Sequence, residues 1–347
     1  MAPMLRRARL ALTIVALAGC STASPTTSAP AGTFTPSASL PVSVSPSTEP
    51  PSSPEPPANL TIHVPKPGAV IAAIGSLWVQ EAASGSVWRV DRHGKIVAKI
   101  PGVIRAARDP GSGSFTLAAG FGSVWALGDG VVVRIDPDTN EPNSRVDVPS
   151  YAFGLAVGEG AVWVSCCAPG PPGSGAGWPH LIRIDPATGT ATVFATLPTS
   201  PSSFAVGSGY VWWGNFSEAG AMQRVDPVTG SQVRIESTNM RFIVPTPRWI
   251  WLLSGGARQR VATGSAAPAK DVAREPPIAI GATYADGTVW INGGDVIGFD
   301  ADTGKSRVKI DLPKASPQAT GGIAKLDSRI WIADPAGQQL IGASLEH

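Results

Sequence analysis

Ala161-Val162-Trp163-Val164, followed by Arg183-Ile184-Asp185-Pro186-Ala187-Thr188-Gly189, holds the pattern that decides the fold. A Val-rich run around one tryptophan reads as a buried strand, because β-branched and aromatic side chains suit a pleated, covered surface. Asp-Pro-x-Thr-Gly after the next apolar run reads as a tight turn: Asp bonds its own downstream backbone, Pro presets φ, and Gly accepts φ > 0. The tryptophan strand recurs as Ser76-Leu77-Trp78-Val79, Ser123-Val124-Trp125, Tyr210-Val211-Trp212, Trp249-Ile250-Trp251, Thr288-Val289-Trp290-Ile291 and Arg329-Ile330-Trp331-Ile332. Successive tryptophans lie 47, 38, 49, 39, 39 and 41 residues apart. A period of about 40 residues that holds several short strands predicts propeller blades rather than helical repeats.

Better copies of the unit show four parts. Ala156-Val157-Gly158 and Ala205-Val206-Gly207 give a first strand, and the tryptophan strand comes second. Arg89-Val90-Asp91, Arg134-Ile135-Asp136, Arg183-Ile184-Asp185 and Arg224-Val225-Asp226 give the third, with Gly298-Phe299-Asp300 as a weaker copy. An alternating fourth strand follows, as in Ser306 to Asp311. The last unit ends at Leu340-Ile341-Gly342-Ala343, a third strand, while Leu60-Thr61-Ile62-His63-Val64-Pro65 precedes the first unit and has the form of a fourth. The expected fold is therefore all-β: a seven-bladed β-propeller over residues 59–347, its ring closed by an N-terminal strand that completes the last blade. Closure of this kind pairs strands that would otherwise leave open edges.

The blades resemble those of the secreted bacterial propellers of the YVTN and virginiamycin B lyase-like superfamily, which carry G-x-G-x-V-W-V followed by R-I-D-P-x-T-G. This resemblance covers about residues 59–347 and implies the fold. It says little about chemistry, since one propeller framework hosts unrelated functions. The lyase for which the superfamily is named implies a histidine base working with a metal and an acidic partner. This chain departs from that pattern: the matching face offers one histidine, His180, and no matching acidic partner beyond Asp109 or Glu218.

Upstream, Arg6, Arg7 and Arg9 precede an apolar stretch, Leu10 to Leu17, and then Leu17-Ala18-Gly19-Cys20. That order is a secretory signal, too short in its apolar core to span a bilayer. Leu17-Ala18-Gly19-Cys20 resembles the lipobox of bacterial lipoproteins, which implies lipidation of Cys20 and an extracytoplasmic, membrane-anchored protein. The chain thus divides into a signal over 1–20, a linker over 21–58 and the propeller. In the linker, 26 of 38 residues are Ser, Thr or Pro, a composition that cannot bury a core and predicts a disordered spacer. Without Arg6, Arg7 and Arg9 the basic and acidic residues nearly cancel. No basic excess remains to neutralise phosphates, so nucleic acid is not an expected partner.

The in-register tryptophans are expected to pack between neighbouring sheets rather than to line a ligand site. Strand parity places the second-to-third loops and the blade-to-blade connections on one face, and the Asp-Pro-x-Thr-Gly turns on the other. Irregular loops on a rigid scaffold concentrate binding, so the first face is the candidate site. Its longest excursion runs from Ser165 to His180 and includes Cys166, Cys167, Trp178 and His180. Arg105, Arg108, Tyr151 and Arg241 lie in connections on the same face. Cys166 and Cys167 are the only cysteines besides Cys20, and in an oxidising compartment they form either a vicinal disulfide or two buried thiols. No metal set and no cofactor motif is evident, and a monomer is expected. The sequence favours a non-catalytic scaffold that binds an envelope protein, a glycan or a small molecule; the alternative is a lyase-type enzyme with His180 as base.

Overall fold

Seven antiparallel four-stranded sheets follow one another along the chain. The computed structural model describes residues 59–104, 116–128, 130–149, 152–166, 179–197, 201, 203–214, 221–237, 241–254, 257–274, 279–293, 295–312 and 321–345. After β1 (Asn59–His63), blade 1 is β2 (Pro67–Ala73), β3 (Ser76–Glu81), β4 (Ser86–Asp91) and β5 (Ile96–Ile100). Blade 2 is β6 (Thr116–Gly120), β7 (Ser123–Gly128), β8 (Val131–Asp136) and β9 (Glu141–Asp147). Blade 3 is β10 (Ala152–Gly158), β11 (Ala161–Cys166), β12 (His180–Ile184) and β13 (Ala191–Thr196). Blade 4 is β14 (Ser203–Gly207), β15 (Tyr210–Gly214), β16 (Ala221–Val225) and β17 (Gln232–Glu236). Blade 5 is β18 (Phe242–Pro245), β19 (Trp249–Leu253), β20 (Ala257–Ala262) and β21 (Lys270–Arg274). Blade 6 is β22 (Gly281–Ala285), β23 (Thr288–Asn292), β24 (Val296–Asp300) and β25 (Ser306–Ile310). Blade 7 is β26 (Ile323–Leu326), β27 (Arg329–Asp334) and β28 (Gln339–Ser344), and β1 supplies its outer strand.

That last pairing is the expected closure, with Asn59 opposite Ala343 and His63 opposite Gln339. First strands of successive blades touch in order, and β26 returns to β2, so the sheets form a ring. The tryptophans hold it together. Trp78 packs with Leu117, Val124 and Ile135 of blade 2, and Trp125 with Val162 and Ile184 of blade 3. The series continues around the ring until Trp331 packs with Val70, Leu77 and Val90 of blade 1. All seven in-register tryptophans are buried, as expected for a residue that fills the space between neighbouring sheets.

The Arg of the third strand has a role that the repeat alone does not reveal. It lies opposite the tryptophan in blades 1 to 5, as in Trp78 opposite Arg89 and Trp125 opposite Arg134. The guanidinium covers the indole in blades 1, 2 and 5, at 5.0 Å for Arg89 over Trp78, and lies over Tyr210 in the case of Arg224. Four of these Arg also reach across to the next blade. Arg89 donates to the Pro137 carbonyl at 2.5 Å and to Asn140 Oδ1 at 2.9 Å, and Arg134 donates to the Pro186 carbonyl at 3.3 Å. Arg224 and Arg260 make the same kind of bridge, to the carbonyls of Ser265 and Asp302. Each such Arg ties one blade to the next blade's third-to-fourth turn.

Those turns are built as the sequence implies. Asp185 Oδ1 accepts the N–H groups of Ala187 and Thr188, Asp226 and Asp300 repeat the pattern, and Gly189, Gly230 and Gly304 take φ of 73°, 74° and 76°. The Thr303 N–H, followed by the Thr303 hydroxyl and Arg307, lowers the Asp300 carboxyl to about 2. The carboxylates are consumed by turn chemistry, and among the described residues no group of three or more His, Cys, Asp or Glu is placed to hold a metal.

Blades 6 and 7 solve the same packing problem differently. Gly298 and Gly342 replace the Arg opposite Trp290 and Trp331. The indoles lie down on these glycines: a Cβ there would come within 2.8 Å of Trp290 and 2.7 Å of Trp331. In blades 1 to 4 the indole Nε1 donates to the carbonyl five residues earlier, at 2.9–3.2 Å. In blades 6 and 7 the Nε1 is buried without a partner. Gly298-Phe299-Asp300 is thus a coordinated change of Arg and indole position, which makes it look like a degraded copy in the sequence.

Candidate functional site

Every first strand starts on the face of the blade-to-blade connections and runs toward the opposite one, so seven strand starts converge on one end of the axis. A cavity of about 780 Å³ lies there. It is lined by strand starts from blades 1, 2, 3, 5, 6 and 7 and by Ala82, Pro335 and Ala336 of second-to-third turns. It therefore opens on the face that strand parity selects. Small residues let the backbones meet there. A Cβ on Gly322 would lie 2.8 Å from the Val70 nitrogen, and a Cβ on Gly321 2.3 Å from the Ala333 carbonyl oxygen. Gly322 N–H instead donates to the Gly68 carbonyl at 3.2 Å, which joins blade 7 to blade 1 at the rim.

The walls are mainly apolar, with Val70, Ile71, Leu117, Leu155, Phe242, Ile280 and Ile323 among the lining residues, and Lys66 is the one charged residue among the described ones that line it. Glu81, next to this wall in sequence, is engaged elsewhere: its carboxylate accepts Trp88 Nε1 at 2.9 Å and pairs with Lys99 at 3.4 Å. Burial works to raise this carboxyl, but the Trp88 and Ser84 hydrogen bonds and the Lys99 charge outweigh it and leave it lowered. It stands as a structural anion of blade 1.

Beneath the rim, polar atoms of consecutive blades lack partners. Gln80 in β3 is 0% exposed, and neither its Nε2 nor its Oε1 has a hydrogen bond. Thr116 Oγ1, on the cavity wall, and Ser165 Oγ, beside Gly154, are also buried and unpaired. A buried polar atom left unpaired costs roughly 1–3 kcal/mol, so such a group in a packed ring calls for a physical explanation. Gln80 and Thr116 are neither acids nor bases and lie in no long loop, so they do not stand out as candidates in the sequence. A signal was present: Gln80 stands two residues after its tryptophan, where blades 2, 5 and 7 carry Leu127, Leu253 and Ala333.

Of the residues expected on this face, His180 is the first residue of β12, between Cys166 and Thr196 in the sheet. It is half-buried with Nδ1 unpaired, belongs to the third strand, and is not among the residues that line the axial cavity. Cys166 is buried, with Sγ 3.5 Å from the His180 carbonyl oxygen. Arg241 is exposed beside the rim, its N–H donating to the Leu253 carbonyl at 2.7 Å. Cys20, Arg105, Arg108, Tyr151, Cys167 and Trp178 lie outside the described residues, as do Asp109 and Glu218.

Comparison with solved structures matches this ring to proteins of several kinds. A streptogramin B lyase superposes with a TM-score of 0.62 at 15% identity, covering 82% of this chain and 95% of that one. The Kuenenia stuttgartiensis hydrazine synthase gives 0.63 at 11%, over 81% and 96%. The β-propeller domain of Myceliophteria thermophila Cps50 (Swd1) gives 0.62 at 12%, over 82% and 98%. The likeness is one of fold. No model of a known family and no curated protein matches the chain. A lyase, a synthase and a Swd1 propeller on one frame leave function to the site itself.

Proposed function

We propose that this chain is an extracytoplasmic lipoprotein, anchored through Cys20, whose propeller binds an envelope protein or glycan on the loop face and performs no chemistry of its own. The observation that carries this reading is the axial cavity, open on that face and lined, among the described residues, by apolar and neutral groups with one lysine. An enzyme of the lyase type needs acid and base groups that converge on the substrate. His180, its only histidine candidate, sits two strands out from the axis. The Ser/Thr/Pro-rich linker suits a domain held away from a membrane surface.

Replacing Cys20 with Ser tests the anchor. Cell fractionation should find the wild-type chain with the membrane and Cys20→Ser in the soluble extracytoplasmic fraction, because removing the lipidated Cys removes the acyl chains. A variant that stays with the membrane would remove the anchor from the account.

A further inference from the structure

Gln80 is fully buried and its carboxamide makes no hydrogen bond, although its backbone pairs with Val87 in the ladder between β3 and β4. Its carboxamide offers a donor and an acceptor side by side. What separates it from the axial cavity is a bulge: β2 and β3 pair at Pro67–Glu81 and again at Val70–Val79, leaving Gly68 and Ala69 out of register. Both bulge residues line the cavity. Gly68 has no side chain, and a Cβ there would lie 3.8 Å from the Gln80 carbonyl oxygen and 4.0 Å from Oε1. Three rotatable bonds let the carboxamide swing past this gap. On the adjoining wall, Thr116 brings an unpaired hydroxyl from β6, a strand that touches β3.

We infer that Gln80, with Thr116, is the recognition group of a small-molecule site in the axial cavity, and that its ligand presents a neutral cis secondary amide on an apolar body, as a lactam does. A cis amide carries N–H and C=O on the same edge and pairs with a carboxamide at two points. The apolar wall accepts the ring, and the near absence of charged lining disfavours ionised ligands. Sugars, with many hydroxyls to satisfy, find few polar partners inside the cavity, so a glycan bound on the loop face would stay outside it. The inference rests on the loop face being the binding surface.

The test uses the full-length chain, ligand-detected NMR and three probes: ε-caprolactam, N-methylcaprolactam, which lacks the N–H, and N-acetylglucosamine. Caprolactam should bind the wild type, and N-methylation or Gln80→Leu should weaken it about tenfold, the loss of one to two hydrogen bonds. Gln80→Leu should also raise the melting temperature by about 2–4 °C, because two unpaired buried atoms disappear. A structural glutamine would not combine a gain in stability with a loss of binding. Gly68→Ala, which meets nothing closer than 3.8 Å, should fold normally and weaken caprolactam by narrowing the gap. The inference is overturned if caprolactam fails to bind, if Gln80→Leu binds it as the wild type does, or if only the sugar binds. In any of these cases a partner that still crosslinks to the loop face leaves the scaffold reading standing, and its loss there would remove that reading separately.

Discussion

Deleting residues 59–64 should lower the melting temperature of the chain by about 10 °C. β1 is the outer strand of blade 7, and it brings Ile62 and Val64 into the cluster that holds Trp331, Leu340, Val70 and Val90. Burying two such side chains is worth roughly 1.5–3 kcal/mol each, and a domain of this size loses about 2–4 °C per kcal/mol. The deletion also removes the five-residue ladder to β28 and the Val64 N–H bond to the Gln338 carbonyl. The exposed edge of β28 becomes a template for pairing with other chains, so aggregation should accompany the loss. Differential scanning fluorimetry with light scattering reads both. A fall of less than about 2 °C would mean that β1 does not close the ring.

A second expectation runs against the repeat. Gly342→Arg gives blade 7 the residue that blades 1 to 5 carry opposite their tryptophans, and would ordinarily be taken as a repair. It should instead destabilise the protein by about 3 kcal/mol, at the upper end of overpacking costs. The first atom of any side chain at 342 would fall 2.7 Å from the Trp331 indole, which is itself wedged against blade 1. Trp331→Ala alone should cost about 3–5 kcal/mol through the cavity it leaves. Combined with it, Gly342→Arg should cost much less than it does alone, because the clash has gone. Chemical denaturation of the two single variants and the double variant measures this coupling. Additive losses would contradict the exchange of Arg for indole.

How much of this could be read from the sequence depends on what the pattern encodes. The tryptophan register and the Arg-Ile-Asp-Pro runs report strands and turns directly, because burial and φ preferences act on single residues. For that reason the blades, the seven-fold count and the completion of blade 7 by Leu60–Val64 were all legible. The inter-blade bond from Arg89 to the Pro137 carbonyl joins residues 48 apart in the chain, and the packing of Trp331 on Gly342 depends on which rotamer a neighbour permits. Neither leaves a mark in the pattern of one unit. The axial cavity is harder still to read. It is made where strand starts from six blades meet, and Gln80 looks ordinary until its lack of partners in three dimensions is seen.

The claim that matters most is that the loop face does the binding, and photo-crosslinking in cells tests it directly. A photoreactive residue at Ala336, exposed at the cavity rim, is compared with one at Val228, which is 85% exposed on a turn of the opposite face. The account predicts a discrete crosslinked species from Ala336 and none from Val228. Crosslinking from Val228 alone, equal labelling from both, or nothing from Ala336 would contradict it.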